Sequence, residues 1–97
     1  MKTAPFDRID YLTDEETIAE YLNVAMEDPN PDVFLTAVAD VAKARGMTLL
    51  AEKSGLGRES LYKALRSGSK PRFDTIAKIM GGLGLKIQAA PIQEGAK

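Results

Sequence analysis

Hydrophobic residues recur at helical spacing in five segments of the chain, and this pattern predicts a helical protein. The first segment carries Ile18, Leu22 and Ala25 on one stripe. Thr13 and Glu16 stand at its start with the spacing of a capping box, in which each side-chain oxygen accepts a hydrogen bond from the other residue's backbone N–H. The first helix is therefore predicted to begin at Thr13, after an irregular lead over residues 1–12.

The second helix is predicted between Asn30-Pro31 and Gly46. Asparagine is a good N-cap, proline fits the first helical position, and glycine is the usual residue just past a helix end. Residues 13–46 are thus expected to form an N-terminal helical pair. The inward positions of the second helix are predicted to be Val33, Phe34, Ala37, Val38, Val41 and Ala42.

Residues 47–66 have the pattern of two short helices, and Gly55-Leu56-Gly57 separates them. Thr48 is expected to cap the first, and the second is expected to run from Arg58 to Arg66. Gly55 sits where the turn needs a positive φ angle. A small residue, a glycine and two short helices in this register are typical of a helix-turn-helix. The predicted inward side chains are Leu50, Ala51, Leu61, Ala64 and Leu65.

A fifth helix is predicted over residues 73–82, and a short strand over residues 85–90. The helix is expected to turn Phe73, Ile76, Ala77 and Met80 inward. The strand rests on the alternation of Leu85, Ile87 and Ala89 with polar residues. The backbone N–H and C=O groups at the edge of this strand need hydrogen-bond partners. The N-terminal lead could supply them, but the favoured alternative is the same strand of a second subunit. The predicted fold is therefore an all-α, five-helix domain with a C-terminal strand and a tail over residues 91–97.

The composition is that of one globular domain and argues against an enzyme. The 97 residues include no cysteine and no histidine, which excludes thiolate chemistry and removes the commonest general base and metal ligand. The serines therefore have no histidine partner. No catalytic residue, metal, cofactor or small-molecule ligand is expected. No apolar run is long enough for a membrane span, and the N-terminus has no signal core, so a cytoplasmic protein is expected.

The net charge of −1 conceals two halves of opposite sign. Residues 1–46 hold four basic and ten acidic residues, a net of −6, and residues 47–97 hold nine basic and four acidic residues, a net of +5. The basic half could contact phosphate, and the acidic half could contact a basic protein. The alternative explanation is that surface charges cluster by chance.

The candidate DNA-binding residues lie on the second short helix and in the loop that follows it. Arg58 could make a bidentate contact to guanine, whereas Lys63 and Arg66 could neutralise phosphate. The alternative is a plain helical bundle with a solvated basic face. The complete set of candidates is Arg58, Glu59, Ser60, Tyr62, Lys63, Arg66, Ser67, Ser69, Lys70 and Arg72.

Several motifs together resemble one known family, the antidote proteins of prophage-type addiction modules, which are antitoxins of the Xre/Cro-like helix-turn-helix class. The resemblance covers about residues 6–87. Two departures concern Gly57, where a serine N-cap is usual, and Ser69-Lys70-Pro71, where Gly-Asn-Pro is usual. The matching motifs are Phe6-Asp7, Asp10-Tyr11-Leu12, residues 18–22, residues 25–28, residues 31–35, residues 42–47, Ser54-Gly55-Leu56 and residues 58–65.

The resemblance implies a homodimer that binds operator DNA upstream of its own operon. It also implies that the chain neutralises a small toxin, typically an RNA-cleaving one encoded next to it. The acidic half suits such a basic partner. Candidate toxin-binding residues are Glu15, Glu16, Glu20, Glu27 and Asp28, for which the alternative is a solvated helix face.

Two other functions stay open at this point. The first is a stand-alone phage-type repressor without a toxin, and the second is a protein-interaction module that has no DNA binding. The motifs in residues 6–47 favour the antidote over the repressor. The salt dependence of DNA binding would separate a phosphate-binding protein from an interaction module.

Overall fold

The computed structural model describes residues 14–92, and this range contains the five predicted helices. The predicted lead over residues 1–12 and Gln93 to Lys97 of the predicted tail lie outside the described residues. In chain order the helices are α1 (Glu15–Met26), α2 (Pro31–Arg45), α3 (Met47–Ser54), α4 (Arg58–Ala64) and α5 (Phe73–Gly82).

The start of α1 differs from the predicted capping box, because Asp14 is its N-cap. The Thr17 N–H donates to Asp14 Oδ1 at 2.7 Å, and this bond lowers the pKa of the Asp14 carboxyl. Thr13 lies outside the described residues. An aspartate bonds the free N–H groups of a first helical turn as well as a threonine does, so the two adjacent residues compete for this position.

The start of α2 confirms the prediction, since Asn30 Oδ1 accepts from the Asp32 N–H at 3.0 Å and Pro31 opens the helix. Its end is also as predicted, at Gly46, whose φ is +100°. The prediction that Thr48 caps α3 is wrong, because α3 begins at Met47 with no side-chain cap. Gly46 is both the C-cap of α2 and the N-cap of α3. Thr48 therefore lies inside the first turn of α3 and not before it.

The connection from α3 to α4 is three residues long and held by hydrogen bonds that centre on Ser54. Gly55 has φ +79°, as predicted, and its N–H donates to the Ala51 carbonyl. The buried Ser54 hydroxyl donates to the same carbonyl and accepts from the Leu56 N–H, both at 3.3 Å. Helix α4 ends at Ala64, two residues before the predicted Arg66, and begins after Gly57 without a side-chain cap.

Buried side chains from all five helices meet in one core. Helix α1 packs mainly on α2, and α3 packs mainly on α5, while α3 also contacts α2 and α4. Two predicted inward residues are in fact exposed: Phe73 is 71% exposed and Val33 is 38% exposed. Phe73 lies one turn before Ile76, which is the first side chain of α5 that packs against the core, and nearly two turns before the fully buried Ile79. The core consists of Ile18, Leu22, Ala37, Val38, Val41, Ala42, Leu50, Ala51, Leu61, Ala64, Ile79, Met80 and Leu83.

The predicted strand over residues 85–90 is not seen, and the pairing of Leu85, Ile87 and Ala89 across a dimer loses its structural basis. Leu85 instead completes the C-terminal cap of α5. Gly84 has φ +83°, its N–H donates to the Gly81 carbonyl, and the Leu85 N–H donates to the Met80 carbonyl at 2.9 Å. This is a Schellman motif. The hydrophobic residue after the cap glycine usually packs back onto the helix, and Leu85 accordingly packs against the core.

Gly82 lets α5 approach α3 closely. A Cβ at this position would lie 2.8 Å from Leu50 Cδ1 and 3.0 Å from the Ser54 nitrogen. We therefore expect Gly82→Ala to lower the free energy of unfolding by roughly 1–3 kcal/mol, because a packed core must move to admit the methyl group. Urea denaturation followed by circular dichroism measures the change.

Gly81→Ala is the matched control for this prediction. A Cβ at Gly81 would meet nothing within 4 Å. This variant should keep or raise the stability, by up to about 1 kcal/mol, because alanine favours a helix over glycine. Equal effects of the two substitutions would contradict the close approach of α5 to α3.

Candidate nucleic-acid interface

Helix α4 presents its polar side chains to solvent because Leu61 and Ala64 hold its other side in the core. Five exposed cations extend from this helix into the next loop, and we refer to them as the basic face: Arg58, Lys63, Arg66, Lys70 and Arg72. Glu59, Ser60 and Tyr62 are also exposed, beside Arg58 and Lys63. The structure thus brings the predicted DNA-binding residues of α4 to one side of one short helix.

Arg58 is held against Tyr62, one helical turn away. Its Nη2 donates to the Tyr62 hydroxyl at 3.1 Å, and its Cζ lies 5.4 Å from the centroid of the ring. An exposed cation–π contact of this kind contributes about 0.5–1 kcal/mol. Because a guanidinium has five N–H donors, the contact with Tyr62 leaves others available for a ligand. The i, i+4 spacing was the sequence signal for this pair.

The loop after α4 closes into a tight turn before α5. The Ser69 N–H donates to the Arg66 carbonyl at 3.0 Å, and Gly68 between them has φ +81°. Ser69 is half-buried, whereas Ser67 and Lys70 are exposed. The loop therefore presents Lys70 and Ser67 outward and uses Ser69 partly for its own packing.

Arg72 ends the loop as the N-cap residue of α5. Its Nε lies 3.5 Å from Asp74 Oδ1. Both side chains are largely exposed, and an exposed ion pair contributes little to stability because water and salt screen it. Arg72 can therefore exchange Asp74 for a phosphate at small cost.

Lys43 of α2 lies next to the basic face. Sequence reasoning did not select Lys43 as a DNA-binding candidate. It lines a cleft of about 450 Å³ together with Tyr62, Lys63 and Arg66. Lys43 belongs to the acidic half of the chain, so only the packing of the helices reveals its position. The cleft places cations from two separate segments side by side.

The five predicted toxin-binding residues are all exposed but do not form one cluster. Glu15 and Glu16 occupy the first turn of α1, whereas Glu27 and Asp28 follow its last residue. Twelve residues of helix separate these ends by about 18 Å. Asp28 also has a local role, since its Oδ1 accepts from the Asn30 N–H at 2.9 Å.

Glu20 alone of these five lies in a groove between α1 and α2. Asp32 and Asp40 of α2 share the groove with it, and Asp40 Oδ2 accepts from the Tyr21 hydroxyl at 3.1 Å. Within residues 14–92, no group of three acidic side chains is placed to hold a metal ion. Sequence reasoning missed Asp32 and Asp40, which line the same groove as Glu20 because α2 packs on α1.

The fold and these surfaces define a small helical protein with a basic face on one short helix and acidic residues around another. None of the helices between residues 14 and 92 has the length and apolar character needed to cross a membrane. Residues 2–91 match the family described as "Probable addiction module antidote protein". The chain belongs to this family, so an antitoxin role is supported and a toxin partner is implied.

One relative is an uncharacterized protein of Haemophilus influenzae. The two chains are 42% identical over 83 residues, which cover 86% of each. No solved structure matches the chain. The family match therefore supplies the functional class, and the geometry above supplies the residues with which the chain could act.

Proposed function

We propose that this chain is a DNA-binding antitoxin that represses its own operon as a homodimer and neutralises a small, RNA-cleaving toxin. The observation that carries the DNA-binding part is the basic face on α4 and the loop after it, with Lys43 beside it in the cleft. Family membership supports the antitoxin part. The protein would act in the cytoplasm by binding, without a cofactor, a metal or catalysis.

Helices α3 and α4 would serve as a helix-turn-helix. The three-residue connection, the positive φ of Gly55 and the burial of Leu61 and Ala64 support this assignment. In such a unit the second helix enters the major groove and its N-terminal residues contact base edges. Arg58 is the first residue of α4, so it would read a base, and Lys63 would contact phosphate.

The geometry of DNA recognition supports the proposed homodimer. Two recognition helices in a dimer reach successive major grooves when they lie about 34–36 Å apart. Helix α4 alone offers few base contacts, and a second copy doubles them. The operator would accordingly be a near-palindrome upstream of the chain's own reading frame.

The acidic residues along α1 and at the start of α2 would face the toxin. A protein that cleaves RNA must bind phosphate, and a phosphate-binding surface is basic. Acidic side chains on the antitoxin would speed the encounter and exclude wrong partners. A stand-alone repressor is the weaker alternative, because the chain belongs to an antidote family.

The experiment that tests DNA binding is a titration of the purified chain onto the DNA upstream of its reading frame. With six or more phosphate contacts per dimer, the affinity should fall roughly 10³-fold between 50 and 200 mM salt. Random DNA of equal length is the control. Binding no tighter than to random DNA would contradict the proposal and favour a protein-interaction module.

A further inference from the structure

The groove between α1 and α2 has an apolar floor that is open to solvent. Val24, Ala25 and Val33 belong to its apolar lining, which we call the floor, and Val24 is 69% exposed. A branched aliphatic side chain so exposed on a helix neither stabilises the helix nor fills the core. Grooves that are lined mainly by apolar side chains, with a few polar groups at their edges, are where proteins bind ligands and partner helices.

The rim of this groove is acidic. Glu20 lies on the α1 side, and Asp32 and Asp40 lie on the α2 side. No lysine or arginine is among the described residues that line it. An occupant therefore gains most if it places apolar side chains on the floor and basic side chains at both edges.

We propose that this groove binds a basic amphipathic helix of the toxin. The inference rests on the proposed antitoxin function and names its contact surface. A third helix fits between two packed helices by seating its side-chain ridge in their groove. The groove measures about 800 Å³.

The charges disfavour the other possible occupants. A second copy related by a two-fold axis would place the same three carboxylates against themselves. The chain's own residues 1–13 carry two basic and two acidic side chains, a net of zero, so they match an acidic rim poorly. A basic helix of a phosphate-binding partner is complementary to both the floor and the rim.

The test measures the affinity of the full chain for the purified product of the adjacent reading frame, by calorimetry. Glu20→Lys/Asp32→Lys should raise the Kd by roughly 30-fold or more, because both edges then repel a basic helix. The matched control is Glu52→Lys/Asp74→Lys, which changes the net charge equally at exposed positions on α3 and α5, outside the groove and outside the predicted toxin-binding residues. The control should stay within roughly threefold of the wild type.

A second pair of variants tests the floor. Val24→Ser should raise the Kd by roughly fivefold, because the partner then buries a hydroxyl in place of two methyl groups. Leu49→Ser removes another exposed apolar side chain, on α3 and 43% exposed, and should leave the Kd unchanged. Circular dichroism of all four variants checks that each retains the wild-type helix content.

The outcomes separate this inference from the proposed function. If the wild type does not bind the neighbouring product, the antitoxin function fails and the groove inference fails with it. If the wild type binds and the groove variants bind equally well, only the groove inference is overturned. A loss that is equal in the control pair would make the net charge of the chain, and not the groove, the cause of the weaker binding and likewise overturn the groove inference.

Methyl resonances of Val24 and Val33 identify the occupant directly. They should shift when the neighbouring product is added to the full chain. Shifts that depend on the concentration of the chain alone would assign the groove to a second copy. Shifts caused by Phe6→Ala, with none caused by the neighbouring product, would assign it to the chain's own N-terminal residues.

Discussion

Replacing Leu61 with alanine is expected to lower the free energy of unfolding by about 2–5 kcal/mol. Leu61 is fully buried and, with Ala64, anchors α4 to the core. A helix of seven residues does not form alone in water, so α4 depends on this contact. A domain of this size has only about 5–15 kcal/mol of stability in total, and the loss is a large share of it.

Chemical denaturation of the two proteins measures this loss, and Leu49→Ala is the matched control. Leu49 lies on neighbouring α3, where its side chain is 43% exposed. The same change of residue there should cost less than about 1 kcal/mol, because little apolar surface leaves contact. A control that is as unstable as Leu61→Ala would contradict the anchoring of α4 through Leu61.

The sequence predicted those features of the fold that depend on the local backbone. Asn30 and Pro31 begin α2 where expected, and Gly46 and Gly55 take the positive φ angles that their turns require. Each depends on the conformational preference of one residue and its immediate neighbours. Such preferences act before any tertiary contact forms, so they can be interpreted without one.

The errors arose where two structures share one pattern. The alternation that starts at Leu85 suits a strand, but Leu85 is also the hydrophobic residue that follows a Schellman cap, and Gly84 selects that second structure. Phe73 continues the apolar spacing of α5 backward, yet nothing of the core reaches that turn. The spacing of hydrophobic residues shows which side of a helix is apolar. It does not show what length of that side the core covers.

The candidate site depends on tertiary packing to a greater extent. Lys43 reaches the cleft beside α4 although it belongs to the acidic half of the sequence. Val24 and Asp40 share one groove because α1 and α2 pack side by side. The sequence was sufficient to predict the exposed cations of α4, because they lie on the side of that helix opposite its apolar residues. It could not supply contacts between helices whose relative positions were unknown.

Arg58→Ala/Lys63→Ala is expected to weaken operator binding by at least about 2 kcal/mol, or roughly 30-fold. Without Arg58, each subunit would lose a bidentate contact to a base, and the preference for one base at one position of each half-site should relax. Lys63 would lose a phosphate contact in each subunit. The slope of log K against log salt should therefore become shallower by about 2 for a dimer.

The matched control removes two positive charges elsewhere, at Lys78 and Lys86, which are exposed and lie outside α4 and its loop. If the whole positive half attracted DNA without specific contacts, Lys78→Ala/Lys86→Ala would weaken binding equally, and the basic face would have no special role. A loss confined to the α4 variant, with unchanged stability, would instead require that α4 itself contacts the operator. Base preference then distinguishes the two residues, because only the loss of Arg58 should change which sequences are bound.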